Sequence, residues 1–231
     1  GGLAVMSAVF AELDIDSMTV TDAALRDGVF YDFIGRSLNE DMREQTVTQF
    51  QQRYHVSLSQ ADRVAHTASI LLESLAQNAS VQELNHWRQY LRWAAKLHEI
   101  GIDIAYTAYH KHTAYILDQA DMPGFSRREQ QILSVLALGQ RGDVRKVVEQ
   151  AGGNTMMWFA LFALRLSVLF NRARLPLTLP QFTQLRSPAP SSFILRISGK
   201  WLEENPLTAG ALAEEHEQWA KINIRFDIQA V

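Results

Sequence analysis

Residues 91–125 read LRWAAKLHEIGIDIAYTAYHKHTAYILDQADMPGF, and the prediction of the fold starts from this stretch. Apolar residues recur at helical spacing on both sides of Gly101, and Pro123-Gly124 closes the pattern. Because glycine and proline interrupt helices, the stretch predicts two helices with a break between them. Three histidines stand among these apolar residues, namely His98, His110 and His112.

The composition is typical of a globular protein with a substantial core. The chain has 231 residues, of which 47% are hydrophobic and 20% charged, and its net charge is -3. This balance does not indicate a sequence-specific nucleic-acid binder or a membrane-surface protein. The absence of cysteine excludes disulfides and thiolate metal sites, and it favours a reducing, cytoplasmic location. The most apolar run, residues 156–170, is too short to span a bilayer and contains Arg165, so we expect a buried helix.

The order of predicted elements divides the chain into three parts. Residues 1–36 have the pattern of a helix, a short strand and a second helix, and residues 37–175 are nearly all helical. Residues 176–231 contain SFILRIS and INIRFDIQAV, which alternate apolar and polar positions as half-buried strands do, with an acidic helix between them. The sequence therefore predicts a mainly α chain that ends in a small α+β domain with a short antiparallel sheet.

Short polar residues ahead of apolar runs mark the expected helix starts. Ser126 followed by Glu129 has the spacing of a capping box ahead of RREQQILSVLAL. Asn85 is the expected N-cap of HWRQYLRWAAKLHEI. The most apolar helix is expected over residues 155–172.

The adjacent residues His98 and Glu99 are the first candidate for chemistry. A histidine beside a carboxylate at a helix end, with His66 on an earlier helix, is similar to the pattern of phosphohydrolases that hold metals between helices. The alternative is a structural or vestigial pair that joins helix ends by hydrogen bonds. The first possibility requires a bound metal and the second does not. We favour the second, so no metal ligand is expected in this chain.

Basic residues mark the starts of three predicted helices and form the second candidate site. The three clusters are His110-Lys111-His112, Arg127-Arg128 and Arg145-Lys146. The backbone amides and dipole of a helix start favour anions, so three such starts predict an electropositive surface for a polyanion. The alternative is that each cluster is an ordinary solvated face.

Five motifs occur in order and together resemble the exopolyphosphatase and guanosine pentaphosphate phosphatase family. They are GGLAVMSAVF, DAALRDGVFYD, LRWAAKLHEIGI, YHKHTAYIL and DMPGFSRREQ. The resemblance implies that residues 1–36 are the tail of a second actin-like domain and that residues 37–175 form a helical domain like that of HD-type phosphohydrolases. It also implies a homodimer whose catalytic residues and Mg²⁺ lie in domains outside this chain.

The resemblance favours one function and leaves three others open. The favoured function is exopolyphosphatase, with this part binding the inorganic polyphosphate chain and supporting dimerisation. The expected contacts are the seven residues of the three basic clusters. The alternatives are a guanosine pentaphosphate 5'-phosphatase, a metal-dependent HD-type nucleotide phosphohydrolase, and a non-catalytic dimerisation module.

Overall fold

The computed structural model describes residues 2–17, 42–176, 184–189 and 192–231, the strand 184–189 by its backbone only. The chain has two compact units, Gly1–Glu40 and Asp41–Val231. Helix α1, Gly2–Glu12, lies in the first unit. The strand and second helix expected in residues 18–35 lie outside the described residues.

The second unit begins with a group of helices. They are α2 (42–53), α3 (Leu58–Leu75), α4 (Val81–Leu97), α5 (Tyr109–Gln119), α6 (Arg127–Gly139), α7 (Val148–Ala151) and α8 (Thr155–Phe170). Short 3-10 helices at Ile100–Asp103 and Val144–Val147 precede α5 and α7. The break expected at Gly101 is confirmed, because this glycine lies in the first 3-10 helix rather than in α4 or α5.

The helix starts confirm one predicted cap and correct another. The Ser126 hydroxyl accepts from the Glu129 backbone N–H, and the Glu129 carboxylate accepts from the Ser126 N–H, so the capping box is present. The prediction that Asn85 caps α4 is wrong. Ser80 caps this helix through the backbone N–H of Glu83, at 3.2 Å. The helix starts one turn earlier because Ser80 and Glu83 also fit the capping pattern.

The chain ends in a three-stranded sheet with two helices. Its elements are β1 (Gln184–Ala189), β2 (Ser192–Ile197), α9 (Gly199–Glu204), α10 (Pro206–Ala220) and β3 (Arg225–Ala230), and the strand order is β1-β2-β3. β1 pairs antiparallel with β2, but β2 pairs parallel with β3. The expected all-antiparallel sheet is therefore wrong. The two helices between β2 and β3 provide a crossover long enough for parallel pairing.

An aromatic cluster connects this sheet to α8, which is buried as the sequence predicts. The Phe162 ring of α8 lies 3.9 Å from Phe193 of β2, 4.8 Å from Trp219 of α10 and 4.9 Å from Phe226 of β3, centroid to centroid. All four side chains are almost fully buried. The core thus includes residues from both sides of the domain boundary expected at residues 175 and 176, and that boundary stays a prediction.

The mainly helical fold with a small α+β end is confirmed by these elements. Among the described residues, the structure has no helix that is both long and apolar enough to cross a membrane.

Candidate functional site

His98 is held as a neutral histidine at the end of α4. Its side chain is almost fully buried, and Nδ1 lies 2.6 Å from the carbonyl oxygen of Ala95. Because a carbonyl only accepts, Nδ1 carries the proton and Nε2 has a lone pair. Burial lowers the pKa of His98, although the nearby Glu99 carboxylate acts in the opposite sense. Nε2 is therefore unprotonated and can only accept a hydrogen bond.

The neighbouring Glu99 is engaged by an arginine. Its Oε1 lies 3.7 Å from Nε2 of His98 and 2.5 Å from Nη2 of Arg174. His66, the third residue of the phosphohydrolase-like pattern, is exposed on α3. In the part of the chain that the structure describes, no group of three or more His, Asp or Glu side chains could hold a metal. The described residues thus do not fit a metal centre.

Two side chains from other elements fix the backbone of His98. Gln140 Nε2 donates to the His98 carbonyl oxygen at 2.8 Å, and the Thr113 hydroxyl donates to the same oxygen at 3.2 Å. The Thr113 hydroxyl also accepts from the Gly101 N–H at 3.0 Å. These bonds connect the end of α4 with α5 and with the loop after α6.

A cleft of about 810 Å³ opens beside this network, and we call it the His98 cleft. Its lining includes His98, Glu99, Tyr106, Gln140, Arg141, Gly142, Arg174 and Leu207. The cleft is bounded by the segment after α4, the loop before α5, the loop after α6, the second half of α8 and α10. This location gives it contributions from both the helical part and the C-terminal α+β part of the second unit.

Arg165 of α8 holds the backbone of the segment 139–142, which lies beside the His98 cleft. Its guanidinium donates from Nη1 to the Gly139 carbonyl at 2.5 Å and from Nη2 to the Gly142 carbonyl at 3.0 Å. The Glu215 carboxylate of α10 accepts from Nε and Nη2 of the same arginine. Since Arg165 is 3% exposed, this is a buried charge pair in which each guanidinium nitrogen donates at least one hydrogen bond.

An open pocket of about 890 Å³ lies on the other side of the 139–142 loop, and we call it the basic pocket. Its lining is rich in cationic and imidazole groups and comprises Tyr106, Thr107, Ala108, His110, Lys111, Arg141, Gly142, Asp143, Arg145 and Lys146. It shares Tyr106, Arg141 and Gly142 with the His98 cleft. The two cavities are therefore adjacent.

Only some of the basic groups in this pocket are charged and free to bind an anion. Arg145 donates to the Asp143 carboxylate through Nη2 at 2.6 Å, and this arginine holds the pKa of Asp143 well below its usual value. Burial, reinforced by Lys146 and Arg141, lowers the pKa of His110 to about 4. At pH 7 His110 is neutral, so the free positive charge of the pocket comes mainly from lysine and arginine side chains other than Arg145.

Comparison with known protein families shows which family this chain belongs to. The sequence profile described as Ppx/GppA phosphatase, domain III, matches residues 42–216. The chain belongs to the Ppx/GppA phosphatase family. This confirms the resemblance found from the five motifs.

Two curated relatives extend the comparison to nearly the whole chain. A protein of Pseudoalteromonas translucida is 35% identical over 223 residues, which are 96% of this chain and 44% of the relative. A protein of Vibrio atlanticus is 34% identical over 231 residues, 100% of this chain and 46% of the relative. Both are named guanosine-5'-triphosphate,3'-diphosphate pyrophosphatase. The chain thus spans less than half the length of these Ppx/GppA relatives.

The Ppx/GppA domain III match begins where the second unit begins and includes every residue of the basic pocket. Of the seven contacts expected from sequence, four line that pocket, namely His110, Lys111, Arg145 and Lys146. His112 is half-buried on α5 outside the lining, and Arg127 and Arg128 are exposed at the start of α6. Arg127 donates to the Asp118 carbonyl at 2.8 Å. Two of the three basic helix starts therefore converge.

Sequence reasoning left several site residues of this Ppx/GppA chain unassigned. Arg141 lines both cavities, and its guanidinium lies 5.7 Å from the centre of the Tyr109 ring. Gln140 and Tyr106 also had no predicted role. Arg141 lies with Arg145 and Lys146 around the third basic helix start but is not among the seven contacts expected from sequence, whereas Gln140 and Tyr106 carry no signal in a single sequence.

Proposed function

We propose that this chain is the phosphate-binding part of an enzyme that hydrolyses guanosine-5'-triphosphate,3'-diphosphate. The names of the relatives support this substrate over the inorganic polyphosphate that the sequence favoured. The observation that carries the proposal is the convergence of Lys111, Arg141 and Lys146 on one open pocket. An oligophosphate is attracted there because several cations face a space that holds a single carboxylate, itself paired with an arginine.

The chemical step is assigned to the part of the enzyme outside this chain. In the proposed reaction, water adds to the terminal 5' phosphorus and the bond to the bridging oxygen breaks. Guanosine-5'-diphosphate,3'-diphosphate is the leaving group, and the attacked phosphorus becomes inorganic phosphate. Mg²⁺ would be held with the catalytic residues, since the described residues of this chain offer no metal cluster. Homodimerisation through this part also stays a proposal.

Removing one free cation from the basic pocket is expected to weaken phosphate binding. We expect Lys111→Ala and Arg141→Ala each to raise the Kd for guanosine-5'-triphosphate,3'-diphosphate by roughly 5- to 10-fold at low salt, because each loses a charge-assisted contact. The salt dependence of log K should become shallower for each variant, because one screened charge contact is lost. Isothermal titration calorimetry at several salt concentrations measures both quantities.

Two matched variants make this experiment specific to the pocket. Arg128→Ala removes an exposed arginine outside the lining and should leave the Kd unchanged. Asp143→Asn keeps a side-chain oxygen for the backbone N–H of Arg145 while releasing its guanidinium, so it should strengthen binding. An equal loss in Arg128→Ala, or no binding at low salt, contradicts the proposal.

The pH dependence of phosphate binding should show the contribution of Lys146. Burial lowers the pKa of this lysine to about 7, and Arg165 and Lys111 act in the same direction while Asp143 opposes them. The ammonium is therefore charged below pH 7 and mostly neutral above it. A bound phosphate favours the charged form, so raising the pH from about 6 to 8 should weaken the lysine's contribution by roughly fivefold or more.

Lys146→Arg is the control for this pH effect. Phosphate groups gain negative charge as the pH rises through about 6, which strengthens binding and opposes the lysine effect. Arginine stays charged throughout this range, so the variant shows the phosphate effect alone. The affinity ratio of Lys146→Arg to the original protein should rise between pH 6 and 8. A ratio that stays constant means that Lys146 does not contact the ligand.

A further inference from the structure

The His98 cleft contains two buried acceptors without a partner among the described residues. They are Nε2 of His98 and Oε1 of Gln140. His98 is 1% exposed and Gln140 is 2% exposed. Nε2 of His98 is an acceptor because the proton is on Nδ1, which donates to the Ala95 carbonyl. Oε1 of Gln140 is an amide oxygen and accepts, while Nε2 of the same side chain donates to the His98 carbonyl. Buried polar atoms normally have partners, so this end of the cleft suits a group that presents hydrogen-bond donors.

A carboxylate adds a third acceptor at the same place. Oε1 of Glu99 stands 3.7 Å from Nε2 of His98, and no proton lies between them because His98 carries its proton on Nδ1. Nη2 of Arg174 donates to the same Oε1, and the carboxylate offers a second oxygen, Oε2, as a further acceptor. A ligand edge with two neighbouring N–H donors is therefore complementary to this wall of the cleft.

The lining of the cleft includes two large side chains with exposed apolar surface. Tyr106 is 72% exposed and Leu207 is 77% exposed, and both belong to the lining. A flat ring can stack on an exposed tyrosine face without disturbing the fold. The volume of about 810 Å³ is within the usual range of small-molecule sites.

The two cavities are adjacent, so a ligand that fills both carries negative charge as well as a ring. Tyr106 and Arg141 line both the His98 cleft and the basic pocket. A molecule with a ring in the cleft can therefore extend anionic groups into the basic pocket. Nucleotides combine a planar ring, donor groups and phosphates in this way.

We propose that the His98 cleft binds the guanine base of a nucleotide whose phosphates occupy the basic pocket. Guanine presents the N1–H and the exocyclic amino group side by side, whereas adenine presents only an amino group on its pairing edge. The acceptors of His98, Glu99 and Gln140 match the donor-rich edge of guanine. This inference rests on the proposed function for its phosphate contacts.

The test compares ligands that carry the same phosphate charge. Calorimetric titration of the 231-residue chain would use GTP, ITP, ATP and inorganic tripolyphosphate in one low-salt buffer. GTP is expected to bind most tightly, and ITP more weakly because inosine lacks the exocyclic amino group. ATP and tripolyphosphate should bind more weakly still, with GTP preferred over ATP by roughly tenfold.

Two variants separate base contacts from phosphate contacts. Tyr106→Ala should weaken GTP binding by roughly tenfold, since stacking on one aromatic ring contributes about that much. It should weaken tripolyphosphate binding much less, because Tyr106 offers the phosphates no charge. Glu99→Gln replaces an acceptor by a group of the same shape and should reduce the preference for GTP over ATP. Tyr115→Ala is the matched control, because Tyr115 is 68% exposed and lies outside both cavities.

The outcomes distinguish this inference from the proposed function. If tripolyphosphate binds and the three nucleotides bind no more tightly, the guanine site is overturned while the phosphate site stands. Preferential binding of GTP without any binding of tripolyphosphate supports the guanine site and counts against the phosphate role of the basic pocket. A Tyr106→Ala variant that loses GTP and tripolyphosphate binding equally overturns the assignment of Tyr106 to the base.

Discussion

Replacing Arg165 with methionine is expected to lower the free energy of unfolding by about 3–5 kcal/mol, the usual cost of breaking a buried ion pair. The substitution leaves the Glu215 carboxylate buried beside Trp219 without its guanidinium partner. It also removes the donors to the carbonyls of Gly139 and Gly142. Methionine has a similar length and is apolar, so the loss reflects the missing charge and hydrogen bonds rather than a cavity.

Urea unfolding followed by tryptophan fluorescence measures this effect. All five tryptophans lie in the second unit, so the signal reports the unfolding of the part that contains Arg165. Arg88→Met is the matched control, because Arg88 pairs with Glu73 near the surface, where an ion pair contributes about 1 kcal/mol or less. A cost for Arg165→Met that is no larger than that of the control contradicts the structural role of the pair.

A double variant tests whether the two charges depend on each other. Arg165→Met with Glu215→Leu removes the unpaired carboxylate, and it should be more stable than Arg165→Met alone. The same arginine positions the 139–142 loop, which carries Arg141 into both cavities. We therefore expect Arg165→Met to weaken phosphate binding as well, although Arg165 lies outside the basic pocket lining.

Local signals in the sequence predicted the helical part of the fold well. The capping box of Ser126 and Glu129, the break at Gly101 and the apolar helix around Phe162 each depend on residues within one or two turns. Such patterns can be recognised in a single sequence because the interacting groups are close along the chain. Asn85 was misassigned for the same reason, since Ser80 offered a competing local cap.

Features that depend on distant residues could not be predicted in this way. Arg165 in an apolar helix indicated a buried charge, but its partner Glu215 lies fifty residues later, in another element. The parallel pairing of β2 with β3 depends on how α9 and α10 pack, which alternation of apolar residues does not determine. Likewise, the helix starts at His110 and Arg145 converge while the one at Arg127 does not, because convergence is a property of tertiary packing.

Gly101→Ala is the second substitution with a large expected effect, a loss of roughly 3 kcal/mol or more at the upper end of overpacking costs. A Cβ at this position would lie 2.2 Å from the Tyr109 carbonyl oxygen and 2.4 Å from the Thr113 backbone nitrogen. Both contacts are backbone atoms of α5, so they cannot be relieved by turning a side chain. The first turn of α5 would have to move away from the 3-10 helix.

This movement connects the stability effect to the site. Displacing α5 would stretch the bond from the Gly101 N–H to the Thr113 hydroxyl and shift the helix turn that carries His110 and Lys111. We therefore expect Gly101→Ala to lower the urea midpoint and also to weaken phosphate binding in the molecules that remain folded. Glycine is required here because the backbones approach closely, which is a different role from the helix break that its position in the sequence indicates.

Gly210→Ala is the matched control for Gly101→Ala. Gly210 is exposed in α10, and a Cβ there meets nothing within 4 Å. Alanine has the higher helix propensity, so this variant should gain about 0.5–1 kcal/mol and leave phosphate binding unchanged. If Gly101→Ala is as stable as Gly210→Ala, α5 does not pack against Gly101 as closely as the structure shows. The placement of His110 and Lys111 in the basic pocket would then lose its support, because that contact holds the start of α5 in position.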